Sequence, residues 1–131
     1  MDILIDTHIL LWSLSNTTRL NKKQQQLILA PGNTILASQI SLIEISIKLK
    51  LGKLDIYNLN IDRIISQWEQ NGFEFLPIKN HHLISYDIIP LLDEHRDPFD
   101  RLIIATAHSQ KLSLMSNDNK FHLYKDLIKV I

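Results

Sequence analysis

Asp6, Glu44, Asp97, Asp100 and Asp118 are the residues of this chain whose type and position could do chemistry. Asp6 directly follows the apolar run Ile3-Leu4-Ile5, and Asp118 stands three residues after a run ending at Met115. Both runs read as buried strands, and open parallel sheets bind ligands outside the carboxyl ends of their strands. For either acid alone the plain alternative is a turn or a helix cap. Glu44 falls on a segment that reads as a helix. At about 100° per residue it lies between Ile40, Ile47 and Leu51, with Ile43 on the same side. A carboxylate buried in such a stripe needs a partner or a cation. Lys48, one turn on, is the competing partner. Asp97-Pro98-Phe99-Asp100 has the form of a helix start. Asp97 would be its cap, Pro98 its first residue and Asp100 the acid that a first turn favours. If that helix start points at the carboxyl edge of the sheet, it holds Asp100 near Asp6.

The chemistry follows from what these acids would do together. Two carboxylates about 4 Å apart repel by about 4 kcal/mol at an effective dielectric of about 20. Three or four that converge must be protonated or neutralised. A hard divalent cation, Mg²⁺ or Mn²⁺, suits an all-oxygen donor set. Such an ion activates water and stabilises charge developing on a phosphodiester.

The elements that must position these acids can be read from pattern and punctuation. Ile3 to Ile5 is the first strand, and Thr7 to Ser15 a short leucine-rich helix. Asn21 caps a helix through Ala30, which Pro31-Gly32-Asn33 breaks. Thr34 to Ala37 is a second strand; Ser38 then caps a helix to about Leu51, with Gly52 placed to stop it. After a loop containing Tyr57 and Asn58, Asn60 caps a helix with Ile61, Ile64, Ile65 and Trp68 on its apolar face, ended by Gly72. Phe73 to Ile78 reads as a third strand, and Asn80 opens a short helix that Pro90 ends. The helix from Asp97-Pro98 runs to about Gln110; Leu112 to Met115 and Leu127 to Ile131 are the fourth and fifth strands. Strands alternating with helices across short breaks predict an α/β domain with a mostly parallel sheet.

Composition narrows the class. The 131 residues favour one domain, 1–131, with one sizeable core. Hydrophobic residues make up 45% and charged residues 21%, a globular profile. Lys+Arg and Asp+Glu are 14 each, so the basic excess usual for nucleic-acid binders is lacking and any such contact needs a local patch. With no cysteine, disulfide, iron–sulfur and thiolate–zinc sites are excluded. No secretory signal pattern and no stretch fit to span a bilayer is visible, so the expected location is the cytoplasm.

Four segments in order carry a family resemblance: Leu4-Ile5-Asp6-Thr7-His8 with Leu11-Trp12; Ser41-Leu42-Ile43-Glu44-Ile45; His95 through Ala107, which contains Asp97-Pro98-Phe99-Asp100-Arg101; and Ser116-Asn117-Asp118. In these the chain resembles the PIN-domain nucleases, and among them the toxin ribonucleases of VapBC-type toxin–antitoxin pairs. The resemblance implies a doubly wound α/β sheet with strand order 3-2-1-4-5 and helices on both faces. It implies an Mg²⁺- or Mn²⁺-dependent endoribonuclease whose catalytic, metal-binding acids are Asp6, Glu44, Asp100 and Asp118. Asp97 would be a further metal or water ligand, and Thr7 and Ser116 supporting hydrogen-bonding groups, unless these are ordinary turn hydroxyls. The resemblance further implies water attack on an RNA phosphodiester, a homodimer, and a cognate antitoxin that occupies the active-site groove.

Other residues offer weaker signals. Arg96 and Arg101 bracket the Asp97–Asp100 turn, either to grip RNA phosphates or to pair with those acids. His8 and His95 flank acidic motifs, either as phosphate contacts or as helix-surface residues. None of the six histidines forms an H-x-x-x-H pair, which speaks against a zinc site. Trp12 and Trp68 read as core or interface residues, and Leu10, Leu11 and Leu14 as a candidate subunit contact. A haloacid-dehalogenase-type phosphatase would need a second aspartate where His8 stands. A receiver domain would need an acceptor aspartate where Leu76-Pro77-Ile78-Lys79 stands. The remaining rival is a PIN-like module that binds RNA or a protein without cleaving.

Overall fold

The computed structural model describes residues 1–54 and 59–131; the loop expected around Tyr57 and Asn58 lies outside the described residues. Strand β1 (Asp2–Ile5) leads into helix α1 (Thr7–Ser15), and a 3₁₀ turn at Thr17–Arg19 leads to α2 (Lys22–Leu29). Then come β2 (Thr34–Ser38), α3 (Gln39–Lys50), α4 (Ile61–Gln70), β3 (Glu74–Leu76) and α5 (Asn80–Ile88). Helix α6 (Pro98–Gln110), β4 (Ser113–Met115), a 3₁₀ segment at Asn119–Tyr124 and β5 (Lys129–Val130) complete the order.

All strand pairs are parallel and the sheet runs β3-β2-β1-β4-β5, the order expected. Side chains of β1 alternate between two cores. Ile3 and Ile5 join Ile35, Ala37 and Met115 on the face covered by α1, Ile45 of α3, and Ile64 and Trp68 of α4. Leu4, Leu36 and Leu114 point the other way, toward α6, Phe121, Tyr124 and Ile89. A central strand buried on both faces shows no polar alternation, which is why Ile3-Leu4-Ile5 reads as one continuous apolar run.

The caps hold where the sequence places them. Asn21 and Gln24 form a reciprocal capping box at α2, and Asn60 Oδ1 accepts from the Arg63 N–H. Ser38 Oγ accepts from the Ile40 N–H and Asp97 Oδ1 from the Asp100 N–H.

Three expectations are corrected. The third strand is shorter than Phe73–Ile78, because β3 is an edge strand that pairs with β2 over three residues only. On α3 the stripe Ile43, Ile47 and Leu51 is exposed, while Ser41, Glu44 and Ile45 are buried. The helix is turned so that its hydroxyl and carboxylate meet Thr7 of α1. Leu10 and Leu11 are buried in the core and Leu14 packs against it, so they offer no free subunit contact. Trp68 is wholly buried with its Nε1–H on the Glu74 carbonyl.

Candidate active site

The chain passes from β1 to β2 and β3 on one side of the sheet and returns to β4 and β5 on the other. The crevice between β1 and β4 at their carboxyl ends is therefore the topological switch point, where sheets of this kind bind ligands. Asp6 stands there. Its N–H continues the ladder to the Met115 carbonyl at 3.1 Å. Its Oδ1 caps α1 by accepting from the Ile9 N–H at 2.8 Å. Its Oδ2 accepts from Ser116 Oγ–H. Ser116 in turn accepts from the Asp118 N–H at 3.0 Å, so one hydroxyl ties both acids to the same edge. Asp118 is half-buried, and its Oδ1 accepts from the Lys120 N–H at 2.9 Å.

Glu44 comes in from α3. It is 5% exposed, with Oε1 2.7 Å from Thr7 Oγ1 and Oε2 2.9 Å from Lys48 Nζ. Thr7 has one hydroxyl hydrogen, which goes to the carboxylate; the Ser41 hydroxyl, 2.9 Å away, then donates to Thr7. Glu44 is thus buried, though not within the stripe expected of it, and of the two alternatives at this position the Lys48 pair is the one seen.

Asp100 sits in the first turn of α6. Its Oδ2 is 3.0 Å from His95 Nε2, and the His95 Nδ1 is 2.9 Å from the Tyr124 hydroxyl. Asp97 is the exposed cap of the same helix.

The acids act on one another through space. Burial pushes the Asp6 carboxyl up to about 6, against the bonds from Ser116 and Ile9; the Asp100 charge adds to the rise and His8 opposes it. Burial likewise raises Asp100, opposed by the His95 hydrogen bond and reinforced by the charges of Asp97 and Glu44. Among the described residues, however, no three Asp, Glu or His side chains are gathered into a ready cation cage. The donor set is all carboxylate oxygen, which suits a hard divalent ion. Each hydrogen-bonded carboxylate oxygen retains a second lone pair with which to take one.

Two arginine expectations are corrected. Arg96 is exposed and pairs with Asp93 at 2.7 Å, not with Asp97 or Asp100. Arg101 is 4% exposed and donates to the Pro90 carbonyl at 2.6 Å and the Ile89 carbonyl at 3.1 Å, with its guanidinium over the Tyr86 ring. Those carbonyls close the end of α5, so Arg101 faces the interior rather than a substrate. His95, read in the sequence as a surface residue or phosphate contact, is 3% exposed and bonded to a site acid. Its place directly before the Asp97–Asp100 motif was the available signal. Tyr124 gave no signal, because nothing local connects it to Asp100.

Site and topology together define an α/β domain with acids at the switch point of a parallel sheet. The model of the PIN domain family matches residues 3–127, and the chain belongs to that family. Similar solved folds include VapBC2 from Rickettsia felis bound to a promoter DNA fragment, at 18% identity with a TM-score of 0.69, covering 100% of this chain and 98% of that one. DNA-bound VapBC from Salmonella typhimurium follows at 17% identity and a TM-score of 0.70, covering 100% and 97%. FitAcB from Neisseria gonorrhoeae gives 20% identity and a TM-score of 0.64, covering 98% and 96%. At such identities the likeness concerns the fold. Comparison with curated protein sequences gave no match.

Proposed function

We propose that this chain is a divalent-cation-dependent endoribonuclease, the toxin of a toxin–antitoxin pair, acting as one PIN domain over residues 1–131 in the cytoplasm. The observation that carries the reading is the tie from Asp6 through Ser116 to Asp118 at the β1–β4 crevice, with Asp100 close enough for its charge to act on Asp6 and Glu44 close enough to act on Asp100. Asp6, Glu44, Asp100 and Asp118 would hold Mg²⁺ or Mn²⁺, with Asp97 beside Asp100 as a further ligand. The bound ion would supply an activated water and stabilise the charge that develops on an RNA phosphodiester. Ser116 and Thr7 orient the carboxylates of Asp6 and Glu44. Family membership supports nuclease chemistry. The similar folds come from toxin–antitoxin complexes, which supports a cognate antitoxin as partner. Exposed Ile43, Ile47 and Leu51 on α3, with Leu83, Ile84 and Ile88 on α5, favour a homodimer. No helix among the described residues is long and apolar enough to cross a membrane.

A non-catalytic binding module is the second reading, and one observation favours it: each of the five acids already has a hydrogen-bond partner, and among the described residues no cage is assembled. Incubation of a mixed RNA pool with the purified protein separates the two. Cleavage with Mg²⁺ or Mn²⁺, lost with chelator and in Asp6→Asn, is expected. Binding of the pool without cleavage under either metal would leave the module reading in its place.

A further inference from the structure

One buried side chain in the site is held at both nitrogens of its ring, by a residue of α6 and by one of the 3₁₀ segment that follows β4. The backbone of His95 is pinned by a tight turn, with its N–H on the Leu92 carbonyl at 3.1 Å and an isolated antiparallel bridge to Leu92. Its ring meets Phe121 and Tyr124 edge-on at 5.8 and 5.5 Å. Both nitrogens are used: Nε2 on Asp100 Oδ2 at 3.0 Å and Nδ1 on the Tyr124 hydroxyl at 2.9 Å. The ring cannot turn without losing both bonds and two aromatic contacts. Of the Asp100 oxygens, Oδ2 is the one taken by His95.

The donors and acceptors fix a direction. An ionised carboxylate only accepts, so Nε2 carries a hydrogen. The Arg101 guanidinium lies near the Tyr124 phenol and can only donate, which favours the phenol oxygen as acceptor on that side and turns its hydrogen toward Nδ1. Nε2–H on Asp100, with Nδ1 accepting from the Tyr124 hydroxyl, is the arrangement that satisfies all three groups. The usual order in metal sites, where a carboxylate orients a ligating histidine, is here reversed: the histidine orients the carboxylate.

We propose that His95 is the positioning residue for Asp100, its ring oriented by the Tyr124 hydroxyl, so that Nε2–H fixes Oδ2 and Oδ1 is presented to the crevice. The metal-facing half of this inference rests on the nuclease reading; the tautomer half does not. Tyr124→Phe keeps the ring packing and removes only the hydroxyl, His95→Leu removes both bonds, and His95→Gln keeps a donor near the position of Nε2.

The first readout is the ¹⁵N spectrum of the imidazole in the metal-free protein at neutral pH. It is expected to show Nε2 protonated in the parent and, because Asp100 still accepts from it, in Tyr124→Phe as well, with the Nδ1 signal shifted once its hydroxyl partner is gone. The second is Mn²⁺ affinity by electron paramagnetic resonance, expected to fall about 10- to 100-fold in His95→Leu, as for other residues that orient ligands, and to return in large part in His95→Gln. A bare Nε2 in the parent, or an Nδ1 signal unchanged in Tyr124→Phe, overturns the proposal. So does parental Mn²⁺ affinity in a folded His95→Leu. If His95→Leu does not fold, Tyr124→Phe must show the weaker Mn²⁺ binding, and parental affinity there is equally fatal. A parent that binds no Mn²⁺ and cuts no RNA defeats the nuclease reading instead, and the spectrum of the imidazole then decides the positioning role on its own.

Discussion

Asp6 is 3% exposed at a strand end, and in the absence of a cation its charge is a cost to the fold. Its folded value of about 6 against the ordinary 3.8 means that the folded chain holds this proton more tightly than the unfolded chain. The contribution is therefore fully present below about pH 4 and is lost as pH rises to about 6, on the order of 3 kcal/mol for this group. Asp6→Asn keeps the shape, and its side-chain oxygen still accepts from the Ile9 N–H. In chelator it should exceed the parent in stability at pH 7 and match it at pH 4; denaturant melts at the two pH values check this. A deficit at pH 7 would mean that the hydrogen bonds of the carboxylate outweigh its desolvation. Arg101 is the opposite case, a buried charge that is satisfied. Arg101→Met strands the Ile89 and Pro90 carbonyls and should cost about 2 kcal/mol or more. An unchanged melt with weakened RNA binding would return Arg101 to the substrate.

At the scale of elements, three of the acids proposed as cation ligands are also caps. Asp6, Asp97 and Asp118 all accept from a backbone N–H at the start of the turn or helix they precede. Capping and cation binding are thus compatible uses of one side chain, and the sequence could not rank them because both call for an acid at the same position. The end of α6 shows a different economy. Lys111 takes the left-handed conformation there, φ 55 and ψ 42, where glycine would carry no side-chain penalty. Lys111→Gly should raise stability by about 0.5–1 kcal/mol, the relief of left-handed strain being partly offset by extra freedom in the unfolded chain. A lower midpoint in thermal or denaturant melts would show that the lysine side chain contributes contacts of its own.

At the scale of the whole molecule, net neutrality conceals an uneven surface. Ile43, Ile47 and Leu51 repeat at one-turn spacing on the outer side of α3 and remain open to solvent in the single chain. The proposed homodimer covers this stripe. Ile47→Glu puts a charge at its centre and should shift the protein from dimer to monomer in sedimentation analysis, leaving the melt of the monomer nearly unchanged. A parent that is already monomeric at the concentrations used would remove the homodimer from the proposal.

Much of the fold was legible in the sequence because its causes are local. The continuous apolar run Ile3-Leu4-Ile5, the caps Asn21, Ser38, Asn60 and Asp97, and the stop at Gly52 act within a few residues of themselves. The two 3₁₀ segments at Thr17–Arg19 and Asn119–Tyr124 were missed, since one turn is too short to set up a hydrophobic period. What only the tertiary structure decided was direction. The face of α3 turned inward depends on Thr7, which lies 37 residues before Glu44. Whether Arg101 points to substrate or to the end of α5 depends on two carbonyls 11 and 12 residues away. The oxygen that fixes Asp6 arrives from Ser116, 110 residues along the chain. Spacing along a sequence sets which residues share an element, but the rotation of each element about its axis is set by the partners it meets, and those are distant in the chain.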